Sequence, residues 1–197
     1  VLAALLLVSM AACTGTAPAA TTAATTAAAA ETTAAAETEA SEASGKTYTV
    51  GICQLVQHPA LDAATQGFKD ALTEALGDAV SFNEQNASGE SVNCATIVNG
   101  LVASQVDLIL ANATAPLQAA ASATADIPVL GTAVTDYASA LEIDNWTGTV
   151  GGNISGTSDL APLDQQAAML QELFPDAKKV GLLYCSAESN SKYQVDM

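Results

Sequence analysis

The chain has no arginine. Its five basic residues are Lys46, Lys69, Lys178, Lys179 and Lys192, set against 21 Asp and Glu for a formal charge of -16. No basic surface exists to neutralise phosphates, which excludes nucleic-acid binding, and anionic lipid finds nothing to attract it. A carboxylate ligand would meet no guanidinium fork, leaving backbone N–H groups, hydroxyls and helix amino termini to hold it. Histidine is nearly absent, His58 being the single copy. With scattered cysteines it makes no zinc set, and no Asp/Glu run has the spacing of a calcium loop. No metal, cofactor or redox pair is expected. The glycines Gly151, Gly152 and Gly156 fit neither GxGxxG nor GxxxxGK[ST]; they read as a hinge or cleft loop.

A nucleophile–base reading of Cys53, His58 and Asp62 also fails. Cys53 lies inside a strand whose alternation points it into a sheet face, and Asp62 lies a turn into the next helix, so nothing aligns sulfur, imidazole and carboxylate. His58 reads either as a cap or cleft hydrogen-bonding residue or as a structural histidine. No apolar run reaches the ~20 residues of a membrane span.

What is present begins at Cys13. Before it runs the uncharged stretch Val1–Met10, closed by Ala11 and Ala12; after it Thr14–Ser44 is Ala and Thr, punctuated by Glu31, Glu37, Glu39 and Glu42. That order reads as the apolar core of a secretory signal, a small-residue cleavage site and a tether. Met10 stands where Leu is commoner in such sites. A thiol at the first mature position takes a diacylglyceryl group, so membrane attachment is expected through lipid on Cys13. The opening lacks Met and a basic region and reads as a fragment end. The tether cannot bury a core and is expected to be disordered. Cys53, Cys94 and Cys185 read as small buried hydrophobes, with a Cys53–Cys94 disulfide as the alternative in an exported protein.

From Lys46 onward strands and helices alternate. Thr47–Gln54 reads as a buried parallel strand. The helix after it starts at Pro59, places Leu61, Ala64, Phe68, Leu72 and Leu76 on one face and stops at Gly77. Strands follow at Ala79–Asn83, Asp107–Ala111 and Ile127–Gly131. Helices are expected over Ser91–Ser104, with Ile97, Val98, Leu101 and Val102 inward, and over Pro116–Ala125. This is the pattern of βαβ units, giving an α/β fold: a Rossmann-like parallel sheet with helices on both faces. Thr135–Asp159 breaks the rhythm and reads as a crossing that leaves the first sheet for a second. Beyond it come a helix over Pro162–Phe174 (Leu163, Ala167, Leu170, Leu173 and Phe174 inward), a strand over Lys179–Tyr184, and the opening of a helix from Ser189, the truncated start of a second similar lobe. The expected organisation is thus signal end 1–13, tether 14–45, first lobe 46–134, crossing 135–160 and incomplete second lobe 161–197.

Open α/β sheets bind ligands beyond the carboxyl ends of their strands. The polar residues there are Gln54 and Gln57, Asn112 and Thr114, Thr132, Thr135 and Asp136, and Ser186, Glu188 and Asn190. Hydroxyl and amide donors at helix amino termini suit a carboxylate, and an acidic group suits an ammonium. Each of these residues is equally at home as ordinary turn chemistry.

The stretches QLVQHPALDAATQGFKDAL (Gln54–Leu72), NASGE (Asn86–Glu90), VDLILANATAPLQAA (Val106–Ala120), IPVLGTAVTDYASA (Ile127–Ala140), GGNISGTSDLAPLDQQ (Gly151–Gln166) and KKVGLLYCSAESNS (Lys178–Ser191) carry a resemblance. The chain resembles the substrate-binding lipoproteins of ABC transporters of the tryptophan/tyrosine-type binding family, periplasmic-binding-protein-like with two Rossmann-like lobes. The resemblance implies a cleft that closes on a small zwitterion, an aromatic or hydrophobic amino acid, and delivers it to an ABC permease outside the cytoplasm. It implies no catalysis. With the strand ends it implies contacts from Gln54, His58, Asn112, Thr114, Thr135 and Asp136 on the first lobe, and from Ser158, Asp159, Ser186, Glu188 and Asn190 on the crossing or second lobe. A ligand-sensing surface receptor of the same fold is the alternative, and an exported enzyme using Cys53 or His58 a further one.

Overall fold

The computed structural model describes residues 45–197; Cys13 and the tether through Ser44 lie outside the described residues. Five parallel strands form one sheet in the order β2-β1-β3-β4-β5. They are β1 (Tyr48–Gln54), β2 (Val80–Asn86), β3 (Leu108–Asn112), β4 (Val129–Val134) and β5 (Ile154–Ser158). Among the described residues six α-helices accompany them: α1 (Pro59–Leu76), α2 (Ser91–Ala103), α3 (Thr114–Ala123), α4 (Tyr137–Ala140), α5 (Leu163–Leu173) and α6 (Ser189–Asp196). The α/β class and the covering of both sheet faces agree with the sequence pattern.

Alternation along the strands sorts the core. Val50 and Ile52 of β1 with Leu110 of β3 form one buried cluster, against which Phe68 and Leu72 of α1 pack. The opposite pleat sends Cys53, Ile109, Ala111 and Val129 into a second cluster with Cys94, Val98 and Leu101 of α2 and Leu117 and Ala120 of α3. Two-sided burial is why these strands read as continuous apolar runs. His58 caps α1, its Nδ1 accepting from the Ala60 N–H at 3.2 Å, and Pro59 fills the first helical position.

The chain runs from β1 outward to β2, then back across β1 to β3. The strand order therefore reverses between β1 and β3, and the switch point lies at their carboxyl ends. One row of the ladder falls there: Asn86, Gln54, Asn112 and Thr132 stand side by side.

Five sequence expectations are corrected, the simplest at Cys185, which is exposed rather than buried. Residues of the expected crossing do not leave the sheet: Ile154–Ser158 pairs in parallel with β4 as the fifth strand. Its Gly/Ser/Thr composition reads as loop, yet pairing requires little side-chain bulk at this point. Gly156 lies opposite Gly131, and the ring of Tyr137 closes over the space their missing Cβ atoms leave. The expected strand over Lys179–Tyr184 pairs with no described segment. A strand exists through its neighbours' hydrogen bonds, and Leu182 and Leu183 here are exposed. The expected inward face of the helix that is α5 is likewise open, with Leu173 63% and Phe174 60% exposed. Finally, α3 begins at Thr114, two residues earlier than Pro116, which occupies its third position.

Candidate functional site

The row at the switch point is not a set of free polar groups. Even-numbered β1 and β3 residues face α1, so Gln54 and Asn112 carry the apolar stripe of Ile52 and Leu110 onward as a polar end. Gln54 is 4% exposed and Asn112 fully buried. Gln54 Nε2 donates to Asp62 Oδ1 at 2.6 Å and to the Val56 carbonyl at 2.9 Å. Its Oε1 accepts from the Thr65 hydroxyl at 2.7 Å and from Asn112 Nδ2 at 3.4 Å. Asn112 Nδ2 also donates to the Leu61 carbonyl and to Thr65 Oγ1, both at 2.8 Å. These acceptors fix the amide's orientation, since reversal would set Oδ1 against the Leu61 oxygen. Asn112 Oδ1 is left buried with no partner among the described residues, the kind of group that calls for a donor.

Thr65 and Asp62, which complete this network, are residues that sequence reasoning did not place in it. Their signal was a polar interruption at 65 in the stripe Leu61, Phe68, Leu72. The network leaves Cys53 on the other sheet face and His58 exposed at the cap, so no line runs from thiol to imidazole to Asp62.

Beyond β3 the chain turns sharply. Ala113 has φ 106 and ψ 169, a region suited to glycine and strained for alanine. Its N–H reaches the Thr132 carbonyl at 3.0 Å, and its carbonyl receives the first bond of α3, from the Leu117 N–H. The N–H groups of Thr114 and Ala115 thus open the helix ahead of its internal ladder, the arrangement that attracts anions. Thr114 is buried there.

At the end of β4, Thr135 is buried and its carbonyl accepts from the Ser158 hydroxyl at 2.7 Å. The Asp159 N–H donates to the Val134 carbonyl at 3.0 Å. Asp136 caps α4, Oδ1 accepting from the Ser139 N–H at 2.7 Å. Tyr137 donates to the Thr157 carbonyl at 3.2 Å. Burial, and then the negative charge of Asp159, push its hydroxyl up to about 12. Thr114, Thr135, Asp136, Ser158 and Asp159 therefore lie along the carboxyl edges of β3, β4 and β5.

Two cavities flank this edge, and of the residues just named only Ser158 lines either of them. One of about 620 Å³ is lined by Gln54, Val56, Gln57, Asp62, Glu84, Asn86 and Ser88. The other, about 330 Å³, lies over β5 between Tyr137, Trp146 and Gly148–Gly151. Trp146, half exposed, is an aromatic wall of this second cavity.

The last predicted residues stand apart. Glu188 accepts from the Ser191 hydroxyl at 3.0 Å, and Ser189 meets Gln118 of α3 at 3.4 Å. α6 packs on α4, which sets Glu188 and Asn190 beside α3 and α4, while Ser186 is exposed.

A family model for ABC transporter substrate binding proteins matches residues 49–197. The chain belongs to that family. It is 42% identical over 156 residues to a tyrosine-binding protein of Clostridioides difficile (strain R20291), covering 78% of this chain and 45% of that protein. Among solved structures it is similar to an ABC domain from Streptococcus pneumonia in complex with L-Trp (38% identity, TM-score 0.71, 77% of this chain and 52% of that one). It is also similar to a ligand-free, open substrate binding protein with adhesive properties from Clostridium difficile (39% identity, TM-score 0.60, 76% and 52%). The chain spans about half the length of these relatives. Among the described residues no helix is long and apolar enough to cross a membrane.

Proposed function

We propose that this protein is the solute-binding component of an ABC importer and captures an amino acid, aromatic or otherwise hydrophobic, at the carboxyl edge of its sheet. The observation that carries the reading is the pairing of opposite electrostatic ends on one edge. The open amino terminus of α3 at Thr114 favours a carboxylate, and Asp159, tied to the end of β4, favours an ammonium. A zwitterion satisfies both without arginine. Gln54 and Asn112 support the contact surface from beneath by fixing α1 to the sheet, and Asn112 Oδ1 offers one buried acceptor. The relatives' names for tyrosine and L-Trp support the ligand class.

The apolar stripe of α5 and residues 179–184 support reading 161–197 as the opening of a second lobe. Glu188 and Asn190 then contribute from α6. Cys13 carries the lipid that holds the protein outside the cytoplasm beside its permease. Cys53 is buried in the sheet while His58 is exposed at the α1 cap, which supports reading the protein as a binder without catalysis.

The test is thermal melting of the protein at its native length against the amino acids one by one. Binding to the folded state raises the midpoint as ligand exceeds its dissociation constant. Tyrosine, tryptophan or another apolar amino acid raises it. A flat response across the whole set overturns the assignment. Substitution of Cys13 by Ala should release the protein from cells into the medium.

A further inference from the structure

The edge that carries the proposed ligand contacts is offset at a single residue of β4. Against β3 the strand keeps an unbroken parallel register through Thr132, which stands opposite Asn112. Against β5 it does not. Gly131 pairs with Gly156 and Val134 with Ser158, so β4 takes one step more than β5 between them. The extra residue makes a bulge. Ala133 lies within it at φ 53, in the left-handed region that residues with a Cβ rarely take. The side chains record the shift. Val129 and Val134 have opposite parity, and plain alternation would send them to opposite faces. Both are instead buried in the one cluster that α2 and α3 cover.

Each side of the bulge holds one end of the edge. Before it, the Thr132 carbonyl accepts from the Ala113 N–H at 3.0 Å, immediately ahead of α3. After it, the Val134 carbonyl accepts from the Asp159 N–H at 3.0 Å. The Thr135 carbonyl accepts from the Ser158 hydroxyl at 2.7 Å. Thr132, Ala133 and Val134 therefore link the start of α3 to Asp159. A straightened strand would turn Val134 to the other face and shift its carbonyl away from Asp159.

We propose that Ala133 is a positioning residue for amino-acid binding: its left-handed bulge sets the separation between the amino terminus of α3 and Asp159. The inference rests on the reading of those two groups as the carboxylate and ammonium partners. It carries an asymmetry. The start of α3 is tied ahead of the bulge and Asp159 behind it, so disturbing the bulge displaces the ammonium partner and leaves the carboxylate partner in place. Glycine takes the left-handed conformation freely and preserves the bulge; valine, branched at Cβ, resists it.

The experiment is calorimetric titration of the protein at its native length, as the parent, Ala133→Gly and Ala133→Val. The ligands are tyrosine, tryptophan and their N-acetyl derivatives, which keep the carboxylate and lack the ammonium. The parent should prefer a free amino acid at least about tenfold, and Ala133→Gly should keep that preference. Ala133→Val should lose about tenfold for the free amino acid and under about threefold for the N-acetyl acid, so the preference collapses. A merely structural role would weaken both ligands alike. Equal weakening of both, a preference that survives Ala133→Val, or one lost in Ala133→Gly overturns the proposal. Hydrogen exchange of the parent tests the same link should Ala133→Val not fold. Ligand should slow the Ala113 and Asp159 amides together, and slowing of one alone overturns it. A parent that binds no amino acid overturns the reading of the site itself, an outcome distinct from a preference that Ala133 does not control.

Discussion

Asn112 donates to the Thr65 hydroxyl at 2.8 Å, across 47 residues of sequence, and through that bond the end of β3 holds the first half of α1. Thr65 passes the bond on to Gln54, so one hydroxyl serves two buried amides.

Thr65→Val keeps the shape and removes that hydroxyl. Gln54 Oε1 loses its short partner, and Asn112 Nδ2 loses one of two, keeping the Leu61 carbonyl. A loss of about 1–3 kcal/mol is expected in urea denaturation. A change below about 0.5 kcal/mol, the size of an ordinary surface substitution, contradicts the network's role.

The glycine pair gives a sharper contrast. A Cβ at Gly131 meets first the Tyr137 hydroxyl, whereas one at Gly156 meets both that hydroxyl and the backbone oxygen of Gly131. Gly131→Ala should cost about 1–3 kcal/mol through overpacking, and Tyr137→Phe in the same chain should recover part of it. Gly156→Ala should cost at least as much and should not be recovered, because a backbone atom cannot withdraw. Equal rescue at both positions would refute this packing.

Tyr137 sets an alkaline limit. Its hydroxyl titrates at about 12 when folded, against about 10 for a free tyrosine. The folded state therefore favours the protonated form. That contribution, about 2–3 kcal/mol, is fully present below about pH 10 and is lost as pH rises through 12. Tyrosinate absorbance should show one late-titrating tyrosine, and Asp159→Asn should bring it earlier by removing the neighbouring charge. If Asp159→Asn leaves that titration in place, the two groups are not coupled.

Thr114→Ala and Asp159→Ala test the ligand edge separately from the fold. Each should weaken amino-acid binding about tenfold or more, the loss of one charge-assisted hydrogen bond, while the melting temperature without ligand stays near that of the parent. Unchanged affinity in both would place the cleft elsewhere.

Much of the fold was legible because its signals are local. The βα alternation, the Pro59 start, the Gly77 stop and the inward residues of α2 follow from periodicity and cap chemistry. The fifth strand was not legible, because its identity rests on pairing with β4 around Gly131, Gly156 and Tyr137, not on its own composition. For the same reason Lys179–Tyr184 looks like a strand in sequence but finds no ladder. At the site, the polar residues at the strand ends were visible as a set. What sequence could not show is which face they take. Gln54 and Asn112, the last residues of their strands, turn under α1, whereas Thr114 and Asp159 lie just beyond the strands, at the edge.

The most direct measurement is calorimetric titration with tryptophan or tyrosine beside two derivatives of the same side chain, the α-amide and the N-acetyl acid. The first removes the carboxylate and the second the ammonium. Binding by the free amino acid, with both derivatives weakened at least tenfold, is the result this account predicts. Equal affinity for all three would contradict it, since neither the amino terminus of α3 nor Asp159 would then be holding a charge.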